Sequence, residues 1–140
     1  MRKPPAEADS WALHVVQAAH RRYAEAFDGK SPDAVAASFT ASGVLVTSSG
    51  AVVADQTGLR EFAKSWVESH ADTRTRHTCN RHRVSVAPDR IESTCRATVE
   101  IVAPDGTTSV LMQATYRDTL AVYASEWRIE RREVIADKVH

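Results

Sequence analysis

The change of hydrophobic period at Asp72 constrains this chain more than any other feature. Before it, apolar residues recur at steps of three and four. After it, they alternate along long runs separated by tight turns. A helix presents one stripe and a strand presents every second residue, so the two patterns build different elements. Helices first and strands last predict an α+β domain with a mostly antiparallel sheet packed on the helices. Four long, strongly twisted strands curled around three helices form a half-open cone with a pocket inside.

The helical half divides cleanly. Ser10 is placed to cap a helix running to about Phe27, on which Leu13, Val16, His20, Tyr23 and Phe27 make one stripe. Gly29 marks its end. Ser31-Pro32-Asp33 starts a second helix to about Phe39. Val44 to Thr47 and Ala51 to Ala54 read as short strands, and a third helix from about Gln56 to His70 buries Leu59, Phe62, Ala63, Trp66 and Val67. The long strands are Arg76 to Val86, Arg90 to Val102, Thr107 to Leu120 and Glu126 to Ala136. Ala87-Pro88-Asp89 and Pro104-Asp105-Gly106 turn between them. Residues 1–9 are expected to be disordered, and 10–140 to form one domain.

Composition excludes several partners. Lys plus Arg equals Asp plus Glu at 18 each, so no net field draws the chain to nucleic acid or anionic lipid. Arg74, Arg76, Arg81 and Arg83 cluster, but Asp72, Glu92 and Glu100 are expected neighbours on a solvated sheet face. No apolar run approaches the roughly 18 residues of a membrane span, and Met1 to Ser10 is no signal peptide. A cytoplasmic protein is expected, with Cys79 and Cys95 as reduced thiols.

The first hairpin carries the chemistry. If Ala87 lies opposite Arg90, His77 falls opposite Glu100 and Cys79 opposite Thr98. Cross-strand Cβ atoms lie about 4.5–5.5 Å apart, a range at which a carboxylate favours the imidazolium. A slip of one residue would send His77 to the other face. Flat alternation places His77 on the outer face with Cys79, Arg81 and Arg83, as half of a surface pair. A bulge between Cys79 and Val84 turns it inward instead. His77 and His82, five apart, point to opposite faces of a regular strand. No His/Asp/Glu set has metal-ligand spacing, and neither a phosphate loop nor a nucleophile elbow is present, so no metal or cofactor is expected.

Four stretches give the chain a familiar look. They are Tyr23-Ala24-Glu25-Ala26-Phe27-Asp28, Phe39-Thr40-Ala41-Ser42-Gly43, Arg76-His77-Thr78-Cys79-Asn80, and Tyr116-Arg117-Asp118 followed by Trp127-Arg128-Ile129 and Arg132. In this order the chain resembles the SnoaL-like, scytalone-dehydratase-like branch of the nuclear-transport-factor-2-like superfamily. The resemblance implies a pocket with Tyr23, Asp28, His77 and Glu100 as catalytic residues, Glu100 standing where an Asp is more usual. Arg132, with Arg131 as near alternative, matches the family's arginine. The pocket is expected to bind substrate through Val16, His20, Phe39, Phe62, Trp66, Asn80, Tyr116 and Arg132. From spacing alone, Tyr23 is equally a core tyrosine, and Asp28 before Gly29 reads first as a helix terminator, which the family's five-residue interval from Tyr23 brings level with the pocket role.

The implied protein is a cofactor-independent acid/base enzyme, a homodimer acting on a small, mostly apolar, oxygenated molecule. Dehydration leads, with cyclisation or isomerisation next. Its alternatives are a non-catalytic binding or subunit protein of the same fold, and an epoxide hydrolase using Asp28, Glu100 and Arg132. Histidine suits the acid/base role because an imidazole ordinarily titrates near neutrality.

Overall fold

A computed structural model describes residues 5–137, with side chains from Ser10 onward. It contains α1 (Pro5–Asp28), α2 (Pro32–Ala37), β1 (Phe39–Val46), β2 (Val52–Ala54), α3 (Asp55–Ser69), β3 (Arg74–Ala87), β4 (Arg90–Val102), β5 (Thr108–Tyr123) and β6 (Glu126–Ala136). The strands form one sheet in the order β2-β1-β6-β5-β4-β3. All neighbours are antiparallel except β1 and β6, which run parallel. The sheet is mixed, curled and unclosed, and it holds the three helices: the expected α+β cone.

Two boundaries differ from the sequence reading. The disorder expected for 1–9 lies outside the described residues at 1–4, and from Pro5 the backbone is already helical. Ser10 is therefore inside α1 rather than its cap. At the other junction α2 stops at Ala37, and the Ser38 hydroxyl bonds the Val35 carbonyl at 2.6 Å. Phe39 then opens β1 by pairing with Ile129, five residues before the expected strand start. Gly43 sits in the irregularity that follows, where an added Cβ would lie 2.6 Å from the Phe39 Cβ.

The α1 stripe organises the core. Near the narrow end Ala12, Val16 and Ala19 pack on Ile91 and Leu120. Further along, Tyr23 and Phe27 pack with Phe39, Leu45, Leu59 and Ile129. Each large apolar side chain so buried contributes about 1.5–3 kcal/mol.

Bulges decide which residues face that core. From Ala87↔Arg90 to Arg83↔Thr94 the hairpin keeps the expected register; beyond the irregularity it runs Asn80↔Arg96, Cys79↔Ala97, His77↔Val99 and Arg76↔Glu100. Arg81 absorbs the extra residue in the left-handed region, at φ 56°. That conformation costs a non-glycine residue about 1–3 kcal/mol, so the surrounding structure must hold it. Its effect is a change of parity. Thr75, His77 and Cys79 are the less exposed residues before the bulge, and His82 and Val84 after it. A second bulge leaves Glu130 unpaired between Ile129 and Arg131, so that Ile129 and Arg132 are both fully buried. Bulges of this kind bend and twist a sheet, and they help to curl this one around the helices. Among the described residues no helix is long and apolar enough to cross a membrane.

Candidate functional site

Asp28 is the last residue of α1, and the way the helix stops aims its carboxylate. The Gly29 N–H bonds the Glu25 carbonyl at 2.8 Å, and a Cβ on Gly29 would come equally close to that oxygen. The left-handed turn falls on Lys30, at φ 56°. Asp28 thereby faces β3 and accepts three hydrogen bonds: from His77 Nδ1 at 2.6 Å, the His77 backbone N–H at 2.9 Å and Thr75 Oγ1 at 3.0 Å. With Nδ1 donating to Asp28, the lone pair of the neutral imidazole lies on Nε2. Among the described residues Nε2 has no hydrogen-bond partner.

Aromatic rings fix the imidazole plane. Phe27 stacks on His77 at 5.5 Å, Trp66 lies 5.7 Å away, and Tyr23 meets it edge-on at 6.3 Å. The ring opens into a cavity of about 730 Å³ whose walls include Tyr23, Phe62, Trp66, Met112 and Tyr116. That volume is within the ordinary range for small-molecule sites.

Beneath Tyr23 and Tyr116 lies a second, closed network. Arg132 stacks between the two rings, 4.2 Å and 4.1 Å from their centres. It donates through Nε and Nη2 to the two oxygens of Asp118, both at 2.8 Å, and both side chains are fully buried. Asp118 also accepts from His20 Nε2 at 2.6 Å. Burial alone would push the Asp118 carboxyl up, but Arg132 and then His20 pull it down to about 2. Burial likewise opposes the His20 imidazolium, yet the hydrogen bond to Asp118 leaves its pKa raised. Burial raises both phenols, Tyr116 well above the ordinary value, so each keeps its proton and remains a donor.

The structure sorts the sequence-derived candidates into three groups. Tyr23, His77, Phe62, Trp66 and Tyr116 line the main cavity. Asp28 stands behind His77, and His20 and Asp28 border a separate cleft. The others do not line the main cavity. Val16 is fully buried against Ile91 and Leu120, nearly two helical turns before Tyr23, and Phe39 is sealed in the core at the α2–β1 junction. Asn80 precedes the bulge and is exposed. Arg132 is shut beneath the tyrosines.

Glu100 requires a correction of role. It does not face His77; Val99 does, and Glu100 pairs instead with Arg76 at 2.9 Å. The single extra residue at Arg81 moves the register by one, and the carboxylate that meets His77 comes from α1. The expected Cys79↔Thr98 pairing shifts to Ala97 for the same reason.

Four participants escaped the sequence reading. Thr75 and Asp118 are inward residues on alternating strands, and Asp118 shares its parity with Tyr116 and Leu120, the signal that would have found it. His82 and Cys95 meet His20 through the fold: His82 Nε2 lies 3.1 Å and Cys95 Sγ 3.6 Å from His20 Nδ1. His82 faces inward only because of the bulge, contrary to its expected placement opposite His77. Cys79 and Cys95 are both free thiols.

Known proteins agree with this geometry at the level of fold. Rv3472 of Mycobacterium tuberculosis, a protein of unknown function, superposes with a TM-score of 0.83 at 24% identity, over 97% of this chain and 78% of that one. ActVI-ORFA of Streptomyces coelicolor does so with a TM-score of 0.81 at 21% identity, over 91% and 98%. A candidate scytalone dehydratase of Novosphingobium aromaticivorans gives 0.77 at 12% identity, over 95% and 89%. No curated protein matches the chain. The sequence model of the SnoaL-like domain matches residues 9–133, and the chain belongs to that family.

Proposed function

We propose that this protein is a cofactor-independent acid/base enzyme that eliminates water from a small, mostly apolar β-hydroxy carbonyl compound. One observation carries the reading: an oriented His77–Asp28 pair whose imidazole lines an aromatic-walled cavity and whose Nε2 has no hydrogen-bond partner among the described residues. His77 Nε2 removes the proton next to the carbonyl, and Asp28 holds the Nδ1–H while the ring is charged. The electron pair moves onto the carbonyl oxygen, where the Tyr23 hydroxyl donates. When that charge returns, the carbon–oxygen bond at the β position breaks, and the imidazolium gives its proton to the departing hydroxide. Water leaves, and a conjugated carbonyl remains. Isomerisation would use the same first step, with the proton returned to carbon.

Less supports an epoxide hydrolase, because Asp28, Glu100 and Arg132 do not converge: one backs His77, one pairs with Arg76 and one is sealed under the tyrosines. The homodimer belongs to the proposal, and light scattering at twice the 15.4 kDa chain mass is the outcome expected of it.

The test is a panel of aromatic-ring β-hydroxy ketones, followed by the near-ultraviolet absorbance of the conjugated product. Turnover by the native protein is expected, with a loss of at least ~10²-fold in kcat for His77→Ala. Binding without turnover across the panel would leave a non-catalytic binding protein. Turnover undiminished in His77→Ala would remove the imidazole from the mechanism.

A further inference from the structure

We propose that His20, His82 and Cys95, completed by Cys79, bind a thiophilic divalent cation, Zn²⁺ foremost. The donor atoms of the first three lie within 4.8 Å of one another. His20 Nδ1 is 3.1 Å from His82 Nε2 and 3.6 Å from Cys95 Sγ. Zn–N bonds of about 2.0–2.1 Å and Zn–S bonds of about 2.3 Å in a tetrahedron place neighbouring donors about 3.3–3.8 Å apart. Both separations already fall in or near that window.

The surroundings are those of a metal-ligating histidine. His20 gives its other nitrogen to Asp118 at 2.6 Å, which fixes the Nε2–H tautomer and directs the Nδ1 lone pair at His82 and Cys95. A carboxylate behind the histidine orients the ring and raises its basicity as a ligand. Asp118 is itself locked by two hydrogen bonds from Arg132. Cys79 lines the same cleft as His20 and His82 and points inward from β3, which makes it the fourth donor at hand. One lone pair on Nδ1 cannot accept from both His82 and Cys95. A cation resolves that surplus of donors by taking a lone pair from each.

The backbone is bent to make the set. On a regular strand Cys79 and His82, three positions apart, would face opposite sides. The left-handed Arg81 between them brings both to the inner face, opposite His20 of α1. The cluster borders a cleft of about 630 Å³ that His20, Cys79 and His82 all line, and which gives an ion its way in. Two nitrogens and two sulfurs suit Zn²⁺ and reject Mg²⁺ and Ca²⁺, which take oxygen ligands. The ion would join α1, the β3 bulge and β4 at the side of the His77–Asp28 pair away from the main cavity.

The experiment uses the reduced full-length protein, stripped of metal with a chelator. Co²⁺ is the first probe: the site is expected to give a thiolate-to-cobalt charge-transfer band and tetrahedral visible bands, both erased by one equivalent of Zn²⁺. Equilibrium dialysis should return one Zn²⁺ per chain, unaffected by excess Mg²⁺. His82 is only half-buried, so His82→Ala spares the core. It should weaken Zn²⁺ by at least the roughly 10–100-fold that loss of an outer-shell partner costs. Cys95→Ser should remove about half of the charge-transfer intensity, since one of two thiolates is lost, and Zn²⁺ should raise the Tm of the native chain but not of His82→Ala. Absence of the charge-transfer band, Zn²⁺ binding well below one per chain, or affinity undiminished in His82→Ala would overturn the proposal.

Discussion

Two histidine–aspartate pairs in this molecule have the same 2.6 Å separation and different surroundings. In His20–Asp118 the carboxylate is fully buried, clamped by Arg132 and capped by two tyrosine rings. In His77–Asp28 the carboxylate is 24% exposed and held by a hydroxyl and a backbone N–H, with no Lys or Arg ion pair among the described residues. The first imidazole turns its remaining nitrogen to His82 and Cys95; the second lines the main cavity, and its remaining nitrogen has no hydrogen-bond partner among the described residues. Distance alone therefore does not decide what such a pair can do. What differs is the company of the carboxylate and of the remaining nitrogen.

The strongest way to break the contrast is to remove the clamp. Arg132→Met leaves the Asp118 charge buried with only His20 to answer it, and should cost about 3–5 kcal/mol by chemical denaturation. Changing Asp118→Leu together with Arg132→Met removes both charges and should recover a large part of that loss. Equal destabilisation in the single and double variants would mean that packing, not charge, makes the clamp matter.

Next in size is the exchange of roles between the two histidines. His77→Ala should lose at least ~10²-fold in kcat, about 2.7 kcal/mol of transition-state stabilisation, with little change in stability because the ring borders a cavity. His20→Ala should destabilise the fold, since it leaves the fully buried Asp118 carboxylate short of a hydrogen bond. Stability and turnover measured on the same two variants would reveal any exchange of roles.

A pH series then separates the pairs without mutation. The folded pKa of Asp118 is lowered to about 2 from an ordinary 3.8. Its contribution is thus present above the ordinary value and lost as pH falls through about 2, a change of roughly 2 kcal/mol. His20 has the opposite sign. Its raised folded pKa gives stability that is complete below the ordinary 6.5 and lost as pH rises through the folded value. Denaturation midpoints from pH 8 to pH 2 should show both limbs, and the acid limb should shrink in the Asp118→Leu, Arg132→Met variant.

The sequence made the architecture legible because periodicity survives local irregularity. The α1 stripe from Val16 to Phe27 and the turn at Pro104-Asp105-Gly106 needed no knowledge of the fold. Register did not survive. Parity carried forward from Ala87↔Arg90 is right as far as Arg83, and one left-handed arginine then reverses it for His77 and Cys79. Nothing in the local composition marks Arg81 as a bulge, since arginine has no special preference for positive φ. Asp118 was hidden differently: it stood inside a recognised motif, but its buried partner Arg132 lies on another strand. The meeting of His20, His82 and Cys95 joins three elements and leaves no spacing to read.

The smallest expected effect is the sharpest check on that register. Were Glu100 opposite His77, removing its charge would withdraw a neighbour that favours the imidazolium, and Glu100→Gln would shift the pH profile of turnover. In the structure the Glu100 carboxylate accepts from Arg76 Nε at 3.2 Å and Nη2 at 2.9 Å, and Arg76 holds it below the usual carboxylate range. This is an exposed ion pair, screened by solvent and salt. Glu100→Gln should accordingly leave the pH profile of turnover where it is and barely move the denaturation midpoint, whereas Asp28→Asn should alter the profile. A profile displaced by Glu100→Gln and untouched by Asp28→Asn would mean that Arg81 does not bulge in solution. His77 would then belong to the outer face of the sheet, and the contrast between the two pairs would dissolve.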